Sequence, residues 1–183
     1  MLNKGENMDK EYLERLLLSQ SKNYLLLDEK SKLKFMNVFN NNFNILSEET
    51  ILMILLNLRI PFFEEFDLSK KDDLVDILLR RKFKDITVMS NIIEFMGVIF
   101  KHCSYNAQLK MCAYLYEELI NINNNPNTII SLCNFVWMTF KSLNLGYQEK
   151  MYAEISSLLE QNKYPFLYDT IDYTYQQILM SDY

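Results

Sequence analysis

His102 stands beside Cys103, and it is the only histidine in the chain. This is the one place where a thiol adjoins an imidazole in sequence, and a cysteine nucleophile needs such a base. On a helix, successive side chains diverge by about 100°, so the imidazole and the thiol point apart. The pair therefore reads as a helix-end histidine, favoured there by the macrodipole, next to a buried thiol. Cys112 and Cys133 complete an odd set of three cysteines without a C-x-x-C spacing. With one histidine they cannot assemble a soft-ligand metal cluster, and all three read as small apolar residues in a reducing compartment. Glu64 with Glu65, and Glu117 with Glu118, are paired acids without a His, Lys or metal partner at useful spacing. Asp72, Asp73 and Asp76 read as first-turn acids stabilised by a helix dipole. The sequence holds no G-x-G-x-x-G, Walker-type loop, H-E-x-x-H or G-x-S-x-G. The expectation is a non-enzymatic chain with no catalytic, cofactor-binding or metal residues, no cofactor and no small-molecule substrate.

Binding chemistry is better represented. Arg80, Arg81, Lys82 and Lys84 surround Phe83 in a basic run, and Lys101, Lys110, Lys141 and Lys150 follow along the chain. These eight cations are the candidate contacts for RNA or another partner. The net charge of −5 opposes them, because the field of an acidic chain resists the approach of a polyanion. Solvation of a helix end explains the Arg80–Lys84 run without a ligand. Tyr168, Asp172 and Tyr175, at i, i+4 and i+7, form a polar-aromatic face suited to a protein interface.

The elements that must position these residues are helices. The chain is 49% hydrophobic and 23% charged with only three Gly and three Pro, too few for a protein of hairpin turns. About nine helices are expected. Tyr12, Leu13, Leu16 and Leu17 give a stripe over Asp9 to Ser19. Asp28 opens a second helix with Leu33, Met36, Phe39 and Phe43 on one side. Ser47 caps a third, apolar nearly all round and central, which Pro61 stops. Ser69 with Asp72 resembles a capping box for a helix to Lys82. Asp85 caps a helix to Lys101 with Val88, Ile92, Phe95 and Ile99 inward, and Tyr105 to Ile122 returns. Asn125 and Pro126 open the next helix, Gly146 marks a turn, and Gln148 to Gln161 returns. Pro165 opens a last helix with Leu167, Ile171, Tyr175 and Ile178 at helical spacing.

Segments 91–119 and 131–159 match each other at an offset of 40 residues. Phe95, Phe100, Lys101, Gln108, Lys110, Met111, Ala113 and Leu119 recur as Phe135, Phe140, Lys141, Gln148, Lys150, Met151, Ala153 and Leu159, eight identities in 29 positions. A repeat of this length with helical periodicity is a hairpin that stacks on its neighbours. The resulting expectation is one all-α domain, 1–183, of stacked antiparallel hairpins, an α-solenoid-like array. It comprises N-terminal helices at 1–44, a degenerate hairpin at 45–84, repeat hairpins at 85–124 and 125–163, and a capping helix at 164–183. The apolar repeat positions recur because stacking needs them. Lys101/141, Gln108/148 and Lys110/150 have no comparable packing reason, which directs the search for function to those pairs.

The unit VMSNIIEFMGVIFKHCSYNAQLKMCAYLYEELI, repeated as TIISLCNFVWMTFKSLNLGYQEKMYAEISSLLE, resembles the degenerate hairpins of FAST-kinase-like and RAP-domain organellar proteins. The resemblance implies a scaffold associated with RNA in an organellar ribonucleoprotein, such as a mitochondrial ribosome. A helical domain of this length without catalytic motifs is also similar to poxviral Bcl-2-like proteins, which implies capture of a partner helix or a signalling adaptor. The expected partners are proteins of a larger complex, with RNA as a second class and no membrane. Met1 to Lys10 lacks the apolar region of a signal peptide and the Arg-rich character of a transit peptide, and the longest apolar stretch is too short to span a bilayer. The expected location is a reducing compartment, mitochondrial or cytoplasmic.

Overall fold

The computed structural model describes residues 9–121, 126–161 and 164–181, with backbone alone at 118–121 and 181. Among them are nine α-helices and no strand: α1 (Lys10–Lys22), α2 (Glu29–Asn42), α3 (Glu48–Glu64), α4 (Leu68–Leu78), α5 (Ile86–Ile99), α6 (Tyr105–Asn121), α7 (Pro126–Thr139), α8 (Leu145–Glu160) and α9 (Tyr168–Ser181). Short 3-10 turns cover Tyr24–Leu26, Phe100–His102, Phe140–Ser142 and Pro165–Leu167. The chain divides into two compact units, residues 1–66 and 67–183. The boundary falls inside segment 45–84, so that α3 belongs to the first unit and α4 to the second.

In the first unit α1 packs on α2 and α3. The caps follow from local chemistry. Asp28 accepts from the Ser31 N–H at 2.7 Å, which holds its carboxyl below the usual value, and Ser47 accepts from the Thr50 N–H at 3.2 Å. The inward face of α2 is Lys32, Phe35 and Phe39, not Leu33 and Met36; Leu33 is 62% exposed. Phe35 and Phe39 join an aromatic series in which Tyr24 meets both Phe35 and Phe66 at 5.6 Å. Lys32 is drawn in because its ammonium reaches Glu65 at 2.6 Å and Glu29 at 3.3 Å. The Glu65 hydrogen bond raises its pKa and keeps it charged. Glu65, read from sequence as an acid without a partner, is thus one half of this ion pair.

Pro61 does not stop α3, which continues through it to Glu64. A proline there forfeits one helical hydrogen bond and costs about 3 kcal/mol. Continuing the helix buries Pro61 and Phe62 and delivers Phe66 to the aromatic series. Each buried phenyl contributes roughly 1.5–3 kcal/mol, enough to offset that loss. Nor is α3 covered on all sides: Met53, Leu56, Ile60 and Phe63 remain exposed along one face.

The second unit is a two-layer stack. α5, α7 and α9 pack in succession in one layer; α4, α6 and α8 do so in the other, with α6 meeting α7 and α8 meeting α9. This is an all-α array of stacked hairpins. Val88, Ile92, Phe95 and Ile99 all point inward on α5, whose N-cap Asp85 accepts from the Val88 N–H at 2.9 Å. Three boundaries differ from expectation. Asp67, accepting from the Lys70 N–H at 2.8 Å, caps α4, and no Ser69–Asp72 box forms because Ser69 already lies inside α4, and Asp72 instead accepts from the Ser104 N–H at 2.9 Å. α4 ends at Leu78, so Arg80 to Lys84 lie beyond it. Gly146 sits in the first turn of α8, whose cap is Asn144, accepting from the Tyr147 N–H at 3.0 Å. Asn125, expected to cap α7, lies outside the described residues.

Gly97 sets the approach of α5 to α7. A β-carbon there would stand 2.5 Å from the Met138 methyl and 3.5 Å from the Phe135 ring. The bare backbone leaves room for the Met138 methyl, which a side chain at residue 97 would displace. Phe100 closes the same seam edge-to-face on Phe135 at 5.6 Å.

Candidate nucleic-acid interface

The 40-residue repeat is visible in the structure as two equivalent hairpins, α5–α6 and α7–α8, each turning through a short 3-10 segment that begins Phe-Lys. Gln108 reaches back from α6 and donates to the carbonyls of Phe100 at 3.0 Å and Cys103 at 3.1 Å. Gln148 donates to the Phe140 carbonyl at 2.9 Å. The glutamine pair therefore recurs because each amide braces its turn, giving a second donor to a carbonyl that also accepts from the Cys103 or Leu143 N–H.

Lys110 and Lys150 also recur for a structural reason. Lys110 Nζ lies 2.7 Å from Asp76 of α4, and Lys150 Nζ lies 5.3 Å from the ring centroids of Tyr116 on α6 and of Tyr147. Asp76 and Tyr116 are themselves 40 residues apart, so each lysine grips the equivalent position of the preceding layer helix. The attraction is ionic between α4 and α6 and cation–π between α6 and α8.

Lys101 and Lys141 are different. Both are exposed, on consecutive 3-10 turns, and neither forms an ion pair among the described residues. They line one recess of about 160 Å³. α7 supplies Trp137 and Met138 to its wall, the second turn supplies Phe140, and α9 supplies Gln177 and Ile178. Trp137 is 51% exposed. The recess is thus lined by two lysines, a half-exposed tryptophan and a glutamine. That set can hold anionic oxygens and a planar ring.

The other candidates are spread elsewhere. Arg80, Arg81, Lys82 and Lys84 occupy the segment between α4 and α5, where Arg81 lies 5.8 Å from the Phe83 ring and its carbonyl accepts from the Tyr114 hydroxyl at 3.3 Å. Tyr175 packs inward, stacked on Tyr152 at 5.4 Å with their hydroxyls 2.9 Å apart. That leaves Tyr168 exposed and Asp172 half-buried, accepting from Gln176 at 3.4 Å. Trp137 and Gln177 were not singled out from sequence. Trp137 sits in an apolar helix and passes for core, but the repeat offset aligns it with Gly97, a mismatch that marks the position.

The thiols are buried. Desolvation pushes Cys103 and Cys112 up to about 12 and Cys133 up to about 11, so all three are protonated at neutral pH. Among the described residues no group of three His, Cys, Asp or Glu side chains could hold a metal ion, and no helix is long and apolar enough to cross a membrane. No family model matches the chain, and no curated protein or solved structure matches it either.

Proposed function

We propose that this chain is a non-enzymatic helical-repeat scaffold that works inside a larger assembly, an organellar ribonucleoprotein such as a mitochondrial ribosome, and meets RNA at its hairpin turns. One observation carries the reading: equivalent turns of successive hairpins place Lys101 and Lys141 in one recess beside an exposed indole. Stacked repeats present the same position at regular intervals, which suits them to extended partners. The similarity of the repeat unit to organellar RNA-associated hairpins points the same way. The exposed apolar face of α3 supports the scaffold half of the reading, because contiguous apolar surface of this kind is what protein partners cover.

Affinity purification of the tagged chain from its own cells tests this directly. Co-purification of ribonucleoprotein subunits together with RNA is expected, with the RNA lost as salt is raised. Recovery of a single protein partner through an amphipathic helix, with no RNA at low salt, would replace the reading with the helix-capture alternative.

A further inference from the structure

Trp137 is the only tryptophan in the chain, and packing does not demand a large ring at its position. In the groove between α5 and α7, the equivalent residue is Gly97, and the Met138 methyl fills the space a side chain would take. One repeat later the same position carries Trp137, and the residue equivalent to Met138 is Ile178. Here the groove is not filled: the recess between Trp137, Gln177 and the two lysines remains. Its volume of about 160 Å³ is below the roughly 300–1,000 Å³ of pockets that enclose a whole drug-sized molecule. It has room for one ring with the rest of the ligand outside. An exposed indole beside two ammonium groups is the pairing that single-stranded nucleic acid uses, with a base on the aromatic face and phosphates on the cations.

We propose that this recess takes one unpaired nucleobase of single-stranded RNA, stacked on Trp137, with adjacent phosphates on Lys101 and Lys141 and the base edge against the Gln177 amide. The inference rests on the reading that RNA meets the hairpin turns, and adds the residue that stacks and the state of the strand. Duplex is excluded by the same geometry, because its bases present no free face. The acidic chain opposes the ligand at long range, so binding is weak, and two phosphate contacts give it a log–log salt slope of about −1.4.

Because Trp137 is unique, its fluorescence reports the site without a variant. The full chain is titrated at low salt with hexauridylate, with hexathymidylate, with a long GC-rich RNA duplex that stays paired at that salt, with uridine monophosphate and with inorganic tripolyphosphate. Saturable quenching by the single strand is expected, with the monophosphate far weaker, the duplex inert and tripolyphosphate binding without quenching. Trp137→Ala should weaken labelled hexauridylate about tenfold or more by anisotropy. Binding of hexauridylate with unchanged emission and unchanged affinity in Trp137→Ala would overturn the stacking site while leaving RNA contact standing. Quenching by the monophosphate at equal affinity would make the site one for a free nucleotide and overturn the strand. Tighter binding of hexathymidylate would overturn RNA as the ligand. No binding of hexauridylate at all would remove both the site and the functional reading beneath it.

Discussion

Burial decides the chemistry of the three thiols. Each is an acid whose pKa is raised in the folded state, so the fold keeps its proton to higher pH than the unfolded chain does. Their contribution to stability is full below the unfolded value of about 8.5 and is lost as pH climbs towards the folded values. Denaturant midpoints measured from neutral pH upward should fall steadily beyond about pH 9, and Cys133→Ala should flatten that fall. Alkylation of the native protein at neutral pH should be slow and limited by opening of the fold. Gln108 and Gln148 act at the same scale. Replacing either with Ala removes the amide that braces its turn, while the Phe100 and Phe140 carbonyls keep the Cys103 and Leu143 N–H donors. The loss of a net hydrogen bond should cost about 0.5–1.5 kcal/mol in chemical denaturation, and Gln108→Glu, lacking the donor but not the size, should cost as much.

At the scale of the element, the seam between α5 and α7 depends on residue 97. Gly97→Leu puts a branched side chain where the Met138 methyl sits and should destabilise the chain by about 1–3 kcal/mol. Gly97→Ala should cost less, since the methyl end of Met138 can swing aside and alanine favours the helix by up to about 1 kcal/mol. The Lys110–Asp76 link is half-exposed, so a double-mutant cycle should return at most about 1 kcal/mol. Element starts were legible in the sequence where a cap acts on its own neighbours, as at Asp28, Ser47 and Asp85. Ends and faces were not, because distant residues decide them: Phe62 and Phe66 carry α3 through Pro61, and Glu65 turns Lys32 inward on α2. The Ser69–Asp72 pairing failed for a local reason, since Asp67 caps α4 two residues earlier and leaves Ser69 inside the helix, while Asp72 accepts from Ser104 in the next hairpin. The stack itself was legible, because the 40-residue offset records what recurs in every layer.

At the scale of the whole molecule, a net charge of −5 has to coexist with two unpaired lysines at one recess. Recurrence in the sequence identified three polar pairs as candidates, and the structure separates them. Gln108/148 hold turns and Lys110/150 hold layers, while Lys101/141 hold nothing within the described residues. The site was half-legible for this reason. Its lysines recur and stood out, whereas Trp137 breaks the repeat and was hidden among core aromatics. The most direct measurement is the salt dependence of single-stranded RNA affinity for the unaltered chain, for Lys101→Gln/Lys141→Gln and for Lys110→Gln/Lys150→Gln. Loss of two phosphate contacts should make the log–log slope shallower by about 1.4 in the first variant, with the second parallel to the unaltered chain. Parallel slopes in all three proteins, or a change confined to Lys110→Gln/Lys150→Gln, would contradict the account.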